Sequence, residues 1–129
     1  MSTYPDIALL ILRIGLGITF VAHGWMKIRN PARWAKNMGL PTIIGLLVAI
    51  GEFFGGLGIF FGFLTQLAAF GPLFVMLGAL RYHIFVWKNK FINLEDDSWE
   101  FPFFLAVAAL ALALMGAGAY SIDAYFGLS

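Results

Sequence analysis

Four stretches of the chain stay apolar long enough to cross about 30 Å of hydrocarbon. They cover roughly residues 7–28, 42–64, 66–87 and 101–122, the last running on to about 125. At 1.5 Å of rise per residue, each reaches about 33 Å as a helix. Helices are the predicted element, because every backbone amide in lipid must bond within its own segment. The polar interruptions are few. The first stretch holds Arg13, His23 and Lys27, the second Glu52, the third Arg81 and His83 near its end. The fourth holds none until Asp123.

The remaining polar residues lie in the connections. Asn30-Pro31, then residues 32–38, then Gly39-Leu40-Pro41 predict a short helix. Asn30 caps it, Pro31 takes the first helical position and Gly39 ends it. Arg33, Trp34 and Lys36 on this helix suit the depth of lipid headgroups. Leu64-Thr65-Gln66 allows only a tight hairpin between neighbouring spans. Residues 88–100 form a polar loop closing on Glu95, Asp96, Asp97 and Glu100, with Trp87 and Trp99 at its flanks. Acids before a helix start favour its positive end, and tryptophans favour the membrane interface. The expected architecture is an all-α polytopic membrane protein. It is an antiparallel four-transmembrane-helix bundle with a short interfacial helix between the first and second helices, one domain over residues 1–129.

Composition narrows this further. Hydrophobic residues make up 61% of the 129 and charged residues 12%, about half the charged share of a soluble domain. A water-soluble monomer of this make-up would expose large apolar patches, and disorder needs the opposite composition. Net charge is +1, too little for a nucleic-acid partner. Cysteine is absent, which excludes disulfides, thiolate metal sites and iron–sulfur clusters. The first stretch lacks a basic leader and exceeds the apolar length of a signal peptide, so it reads as a retained span. Lys27, Arg29, Arg33, Lys36, Lys88 and Lys90 fall on the side of the two long connections, and no Lys or Arg falls on the side of the termini. That asymmetry predicts both termini outside the cytoplasm and both long loops inside it.

Ionisable residues inside a membrane are functional candidates by default. Arg13 and Asp123 share one layer, and a structural ion pair between them is expected. Glu52 lies near the midplane, where a lone carboxylate stays neutral unless paired; Arg81 and His83 are its expected partners. Gly51, Gly55, Gly58 and Gly62 form a stripe that admits another helix closely, a route to a homo-oligomer. His23 and His83 sit at similar depth. Two such histidines are the minimum for a bis-His haem. His23, His83, Glu52 and Glu100 could in principle hold a metal. The broader reading takes precedence over both: a polar pocket made by His23, Lys27, Glu52, Arg81, His83 and Glu100. The chain has 14 Phe, 4 Trp and 4 Tyr, which suit bundle packing and also a quinone or lipid tail.

An ordered set of motifs runs through the chain. It begins with Leu12-Arg13-Ile14-Gly15-Leu16-Gly17, Phe20, His23-Gly24 and Lys27. It continues with Glu52-Phe53-Phe54-Gly55-Gly56, Gly62-Phe63-Leu64-Thr65, His83 and Glu100-Phe101. It closes on Gly116-Ala117-Gly118-Ala119-Tyr120-Ser121-Ile122-Asp123. Nearly the whole chain thereby resembles the DoxX family of small membrane proteins. The family usually carries Pro and Arg where this chain has Ala117 and Ala119, which removes one anion contact at the terminal face. The resemblance implies a four-helix membrane protein associated with membrane redox systems. Such relatives include subunits of a thiosulfate:quinone oxidoreductase and proteins linked to quinol oxidases. It places the family's recurrent polar residues on Arg13, Lys27, Glu52, His83, Glu100 and Asp123.

Three functions fit these observations. The first is a subunit or accessory component of a quinone-linked oxidoreductase, working with a partner membrane subunit. The second is a non-catalytic scaffold, assembly or lipid-interacting protein. The third is a small proton-coupled transporter using Glu52.

Overall fold

Proline, glycine and capping side chains set the ends of the helices. The computed structural model describes residues 4–95 and 97–128; Asp96, one of the loop acids, lies outside them. Six α-helices form: α1 (Tyr4–Arg29), α2 (Pro31–Met38), α3 (Thr42–Phe61), α4 (Thr65–Arg81), α5 (Glu100–Met115) and α6 (Ile122–Tyr125). The described residues otherwise hold a π-helical turn (Tyr82–Val86), a single bridge between Lys90 and Ser98, turns and loops.

The expected short helix forms with the expected caps. The Arg33 amide donates to Asn30 Oδ1 at 3.1 Å, and Pro31 opens the helix. Gly39 takes a left-handed φ of 72° and closes it. The Gly39 and Leu40 amides then bond back to Lys36 and Ala35, satisfying carbonyls of the last turn. Ala35 is fully buried, and α2 packs on the start of α3 with Gly45 beneath Pro31 and Ala35.

Three helical stretches are long and apolar enough to cross a membrane: Tyr4–Arg29, Thr42–Phe61 and Thr65–Val86. The third includes a π-helical turn, Tyr82–Val86, that extends α4. The fourth expected span is shorter than the hydropathy suggested. Helix α5 ends at Met115 after 16 residues, about 24 Å. Gly116 there adopts φ 82° and ψ −166°, a backbone open essentially to glycine alone. Apolarity continues to Ile122, but the helical backbone does not.

Helix α1 runs antiparallel along α3, α3 also packs on α4, and α4 on α5. The first contact is close because glycines lie on both sides. A methyl at Gly24 would sit 2.5 Å from the Phe53 amide nitrogen, and one at Gly56 would sit 2.8 Å from that of Val21. The stripe expected to serve oligomerisation is used within the chain. Gly51, Gly55 and Gly58 have Gly71, Pro72 and Ala68 of α4 as their nearest partners. Phe20, Ile59, Ala69, Ala109 and Leu112 form a fully buried centre. Ile11, Ile18, Leu47, Phe54, Phe74 and Leu114 point outwards and exposed. An apolar exterior of this extent has lipid as its natural solvent.

Candidate functional site

Two layers of buried charge flank the apolar centre. One lies at the end that carries the termini, the other towards the end that carries the long loops.

At the terminal end Arg13 is 1% exposed. Its guanidinium donates to the carbonyls of Ile59 at 3.5 Å and Phe60 at 3.4 Å, and to that of Tyr120. The first two belong to the last turn of α3, where Ile59 O also accepts from the capping Gly62 amide at 3.3 Å. Asp123 accepts from the amides of Leu64 at 2.6 Å and Thr65 at 2.9 Å, the opening residues of α4. Its own amide donates to Gly62 O at 2.8 Å. The expected Arg13–Asp123 ion pair is therefore not a direct contact. Each charge is committed to backbone groups instead. Asp6, which the sequence reading passed over, accepts from Ala119 N at 3.1 Å. Gln66 donates to Ala113 O at 3.0 Å. Together these bonds tie residues 116–123 to α1, to the turn after α3 and to the start of α4, and α4 to α5.

Towards the loop end, Glu52 is fully buried. Lys27 Nζ lies 2.6 Å from Glu52 Oε2, the one ion pair among the described residues. The partner is thus Lys27, not Arg81 or His83. The reason is facial. Gly51, Gly55 and Gly58 turn to α4, whereas Glu52 and Gly56, four residues apart, turn to α1. Gly24 and Lys27, three residues apart on α1, face them. The space that Gly56 leaves beside Glu52 is filled by α1 itself. The pairing was signalled by this i, i+4 and i, i+3 arrangement, which a reading by depth alone misses. Glu52 Oε1 is buried with no hydrogen-bond partner.

Lys27 is covered by Trp34 of α2, its Nζ 5.0 Å from the ring centroid, close enough for a cation–π contact. Beyond it opens a cleft of about 690 Å³ lined by His23, Lys27, Arg29, Asn30, Arg33 and Trp34, among others. Four of the six residues expected in one polar pocket do not line it: Glu52, behind Lys27, and Arg81, His83 and Glu100. Arg81 and Glu100 are exposed. His83 lies in the π-turn, with Nδ1 2.8 Å from the Asn89 amide and its ring edge-on to Trp87. The His23 ring lies 6.1 Å from Phe101. The metal alternative fails on the same ground, since no three His, Asp or Glu gather among the described residues. A separate apolar groove of about 620 Å³ runs between α3 and α4, lined by Gly51, Phe54, Gly55, Phe61, Phe63 and Leu67 among others.

Known proteins place this arrangement in a family. The DoxX family profile matches residues 8–87. "Inner membrane protein YqjF" of Escherichia coli (strain K12) is 35% identical over 127 residues, 95% of either chain. "Putative oxidoreductase CatD" of Bacillus subtilis (strain 168) is 28% identical over 128 residues, 97% of this chain and 91% of CatD. No solved structure matches the chain. A profile match over more than half the sequence, a relative so similar along its whole length, and three helices apolar enough to span a bilayer lead to one conclusion: the chain is a membrane protein of the DoxX family.

Proposed function

We propose that this protein is the membrane-embedded component of a quinone-linked redox system, acting with a partner subunit and lacking thiol chemistry of its own. In this reading α1, α3, α4 with its π-turn, and α5 with residues 116–128 make four crossings. Helix α2 lies at the membrane surface, both termini are extracytoplasmic, and the long loops are cytoplasmic. The name of CatD, a relative over nearly its whole length, supports a redox association.

The observation that carries the reading is Glu52, a fully buried carboxylate with one oxygen unpartnered. It sits in the stretch of α3 whose other face, Gly51 and Gly55, floors the apolar groove. Glu52 itself turns to α1, so it marks the depth of the groove without lining it. The groove's volume is within the range of small-molecule sites, and its lining is nearly all apolar. An aromatic head with an isoprenoid tail fits these residues: Phe54, Phe61 and Phe63 offer ring contacts, and the side of the groove opens where lipid would lie. A quinone bound there would supply two-electron, two-proton chemistry. Glu52 Oε1 leaves a buried hydrogen-bond acceptor at that depth, and Lys27 holds the other oxygen.

The test is binding of a short-chain ubiquinone analogue to the purified protein in detergent, followed by tryptophan fluorescence. Saturable binding is expected. Leu67→Trp should weaken it at least tenfold, because Leu67 is 68% exposed in the groove and a larger ring fills the space without disturbing the core. Failure of the wild-type protein to bind the analogue, alone or with its partner subunit, sinks the reading.

A further inference from the structure

We infer that the cleft between the end of α1 and α2 binds the phosphate of an anionic phospholipid. The inference does not depend on the quinone reading, which concerns the groove on the opposite face of α3.

Charge is the first argument. Lys27, Arg29 and Arg33 line the cleft, and no carboxylate does. Glu52, behind Lys27, neutralises that residue only. Arg29 and Arg33 have no ion-pair partner among the described residues. Two positive charges are therefore left facing one concave space. Guanidinium groups present planar forks of donors that match phosphate oxygens two at a time.

Donor capacity is the second. Lys27 spends one of its three N–H donors on Glu52 Oε2. Asn30 spends its carbonyl oxygen capping α2 through the Arg33 amide, so its NH₂ is the end left to donate. The groups that define the cleft thus have donors to spare, and an oxyanion can take them in place of water.

Location selects the source of the phosphate. The cleft opens at the last turn of a membrane-capable helix, beside an eight-residue helix carrying Arg33, Trp34 and Lys36. Met26 lines it and is 71% exposed, and the neighbouring Trp25 is 52% exposed. A phosphate here has apolar side chains on the side where acyl chains would run. A soluble phosphate has no use for them. Each basic residue near an anionic membrane surface contributes about 1 kcal/mol.

The experiment is native mass spectrometry of the detergent-purified protein titrated with phosphatidylglycerol, with phosphatidylcholine as the neutral control. The expected result is retained phosphatidylglycerol and little phosphatidylcholine. Arg29→Gln/Arg33→Gln should lower phosphatidylglycerol binding at least tenfold. Lys36→Gln/Lys88→Gln removes the same charge from the same end but outside the cleft, and should change binding less than twofold. Arg29→Lys/Arg33→Lys keeps the charge and loses the fork, and should give an intermediate loss. Equal loss from the Lys36/Lys88 pair would make the attraction diffuse and overturn the site. So would equal binding of phosphatidylcholine. Displacement of phosphatidylglycerol by millimolar inorganic phosphate would reassign the cleft to a soluble anion. The quinone reading is tested separately, by analogue binding to the wild-type protein and to Leu67→Trp, which leaves the cleft untouched.

Discussion

The two ends of the molecule bury charge in different ways. At the terminal end, Arg13 and Asp123 spend their hydrogen bonds on backbone groups at the helix ends. Arg13 takes carbonyls of the last turn of α3, and Asp123 takes the first amides of α4. Towards the loop end, Lys27 and Glu52 spend one bond on each other, and Glu52 Oε1 remains without a partner. Buried atoms without a partner remain in both layers, Arg13 Nε and Thr65 Oγ1 at one end and Glu52 Oε1 at the other. What separates the layers is the partner each charge takes, backbone at one end and a counter-charge at the other.

The strongest way to break this contrast is to remove one member of the loop-end pair. Lys27→Met should leave Glu52 buried without its counter-charge and lower stability by about 3–5 kcal/mol. Lys27→Met/Glu52→Leu, which removes both charges, should recover most of that loss. Unfolding in mixed micelles with increasing denaturing detergent measures both. If the double variant is as unstable as the single one, the pair holds α1 to α3 by more than charge neutralisation.

Asp123→Ala should come next, at about 2–3 kcal/mol, since it strips a charged acceptor from two amides. Asp123→Asn keeps one acceptor oxygen and should cost roughly half. The same unfolding titration reads it. Neither change should alter binding of the quinone analogue, because Asp123 does not line the groove between α3 and α4. A loss of binding with intact stability would erase the distinction between the ends.

Gly116→Ala tests the backbone of the terminal end. A side chain at φ 82° and ψ −166° is strained, at a cost of about 1–3 kcal/mol. The expected result is lower stability with α5 unchanged in helix content by circular dichroism. Gain of helix would mean that residues 116–122 can continue α5, as hydropathy alone suggested.

That point shows which features were legible in the sequence. Helix α2 was readable to the residue because its signals are local: Asn30, Pro31 and Gly39 cap, start and stop it through bonds no more than a few residues long. The burial of Glu52 and of Arg13 was readable because a charge inside an apolar span has to turn inwards. The partner of Glu52 was not, since it depends on which helix takes which face of α3. That choice is made by Gly17 and Gly24 approaching α3 from α1, and by Pro72 and Ala68 approaching it from α4. The end of α5 was hidden for another reason. Hydropathy measures solvent preference and is blind to the φ that Gly116 adopts. The terminal acids illustrate both. Asp123 was rightly placed in Arg13's layer, but its ligands are amides from a turn whose path the sequence does not state.

The smallest effect sharpens the comparison most. Trp34→Leu removes the aromatic face over Lys27 and keeps an apolar side chain there. A cation–π contact at such a partly exposed site contributes about 0.5–1 kcal/mol, so stability should fall little. Access should change more. The Lys27 side chain is 14% exposed under Trp34, and a water-soluble amine reagent should label it faster once the ring is gone. Lys36, exposed on the same helix, serves as the internal standard. A Lys27/Lys36 labelling ratio that rises severalfold means the loop-end pair is sheltered by a small, removable cover. An unchanged ratio means the packing of α1 on α3 shields Lys27 by itself, and the loop end is then as closed as the terminal end.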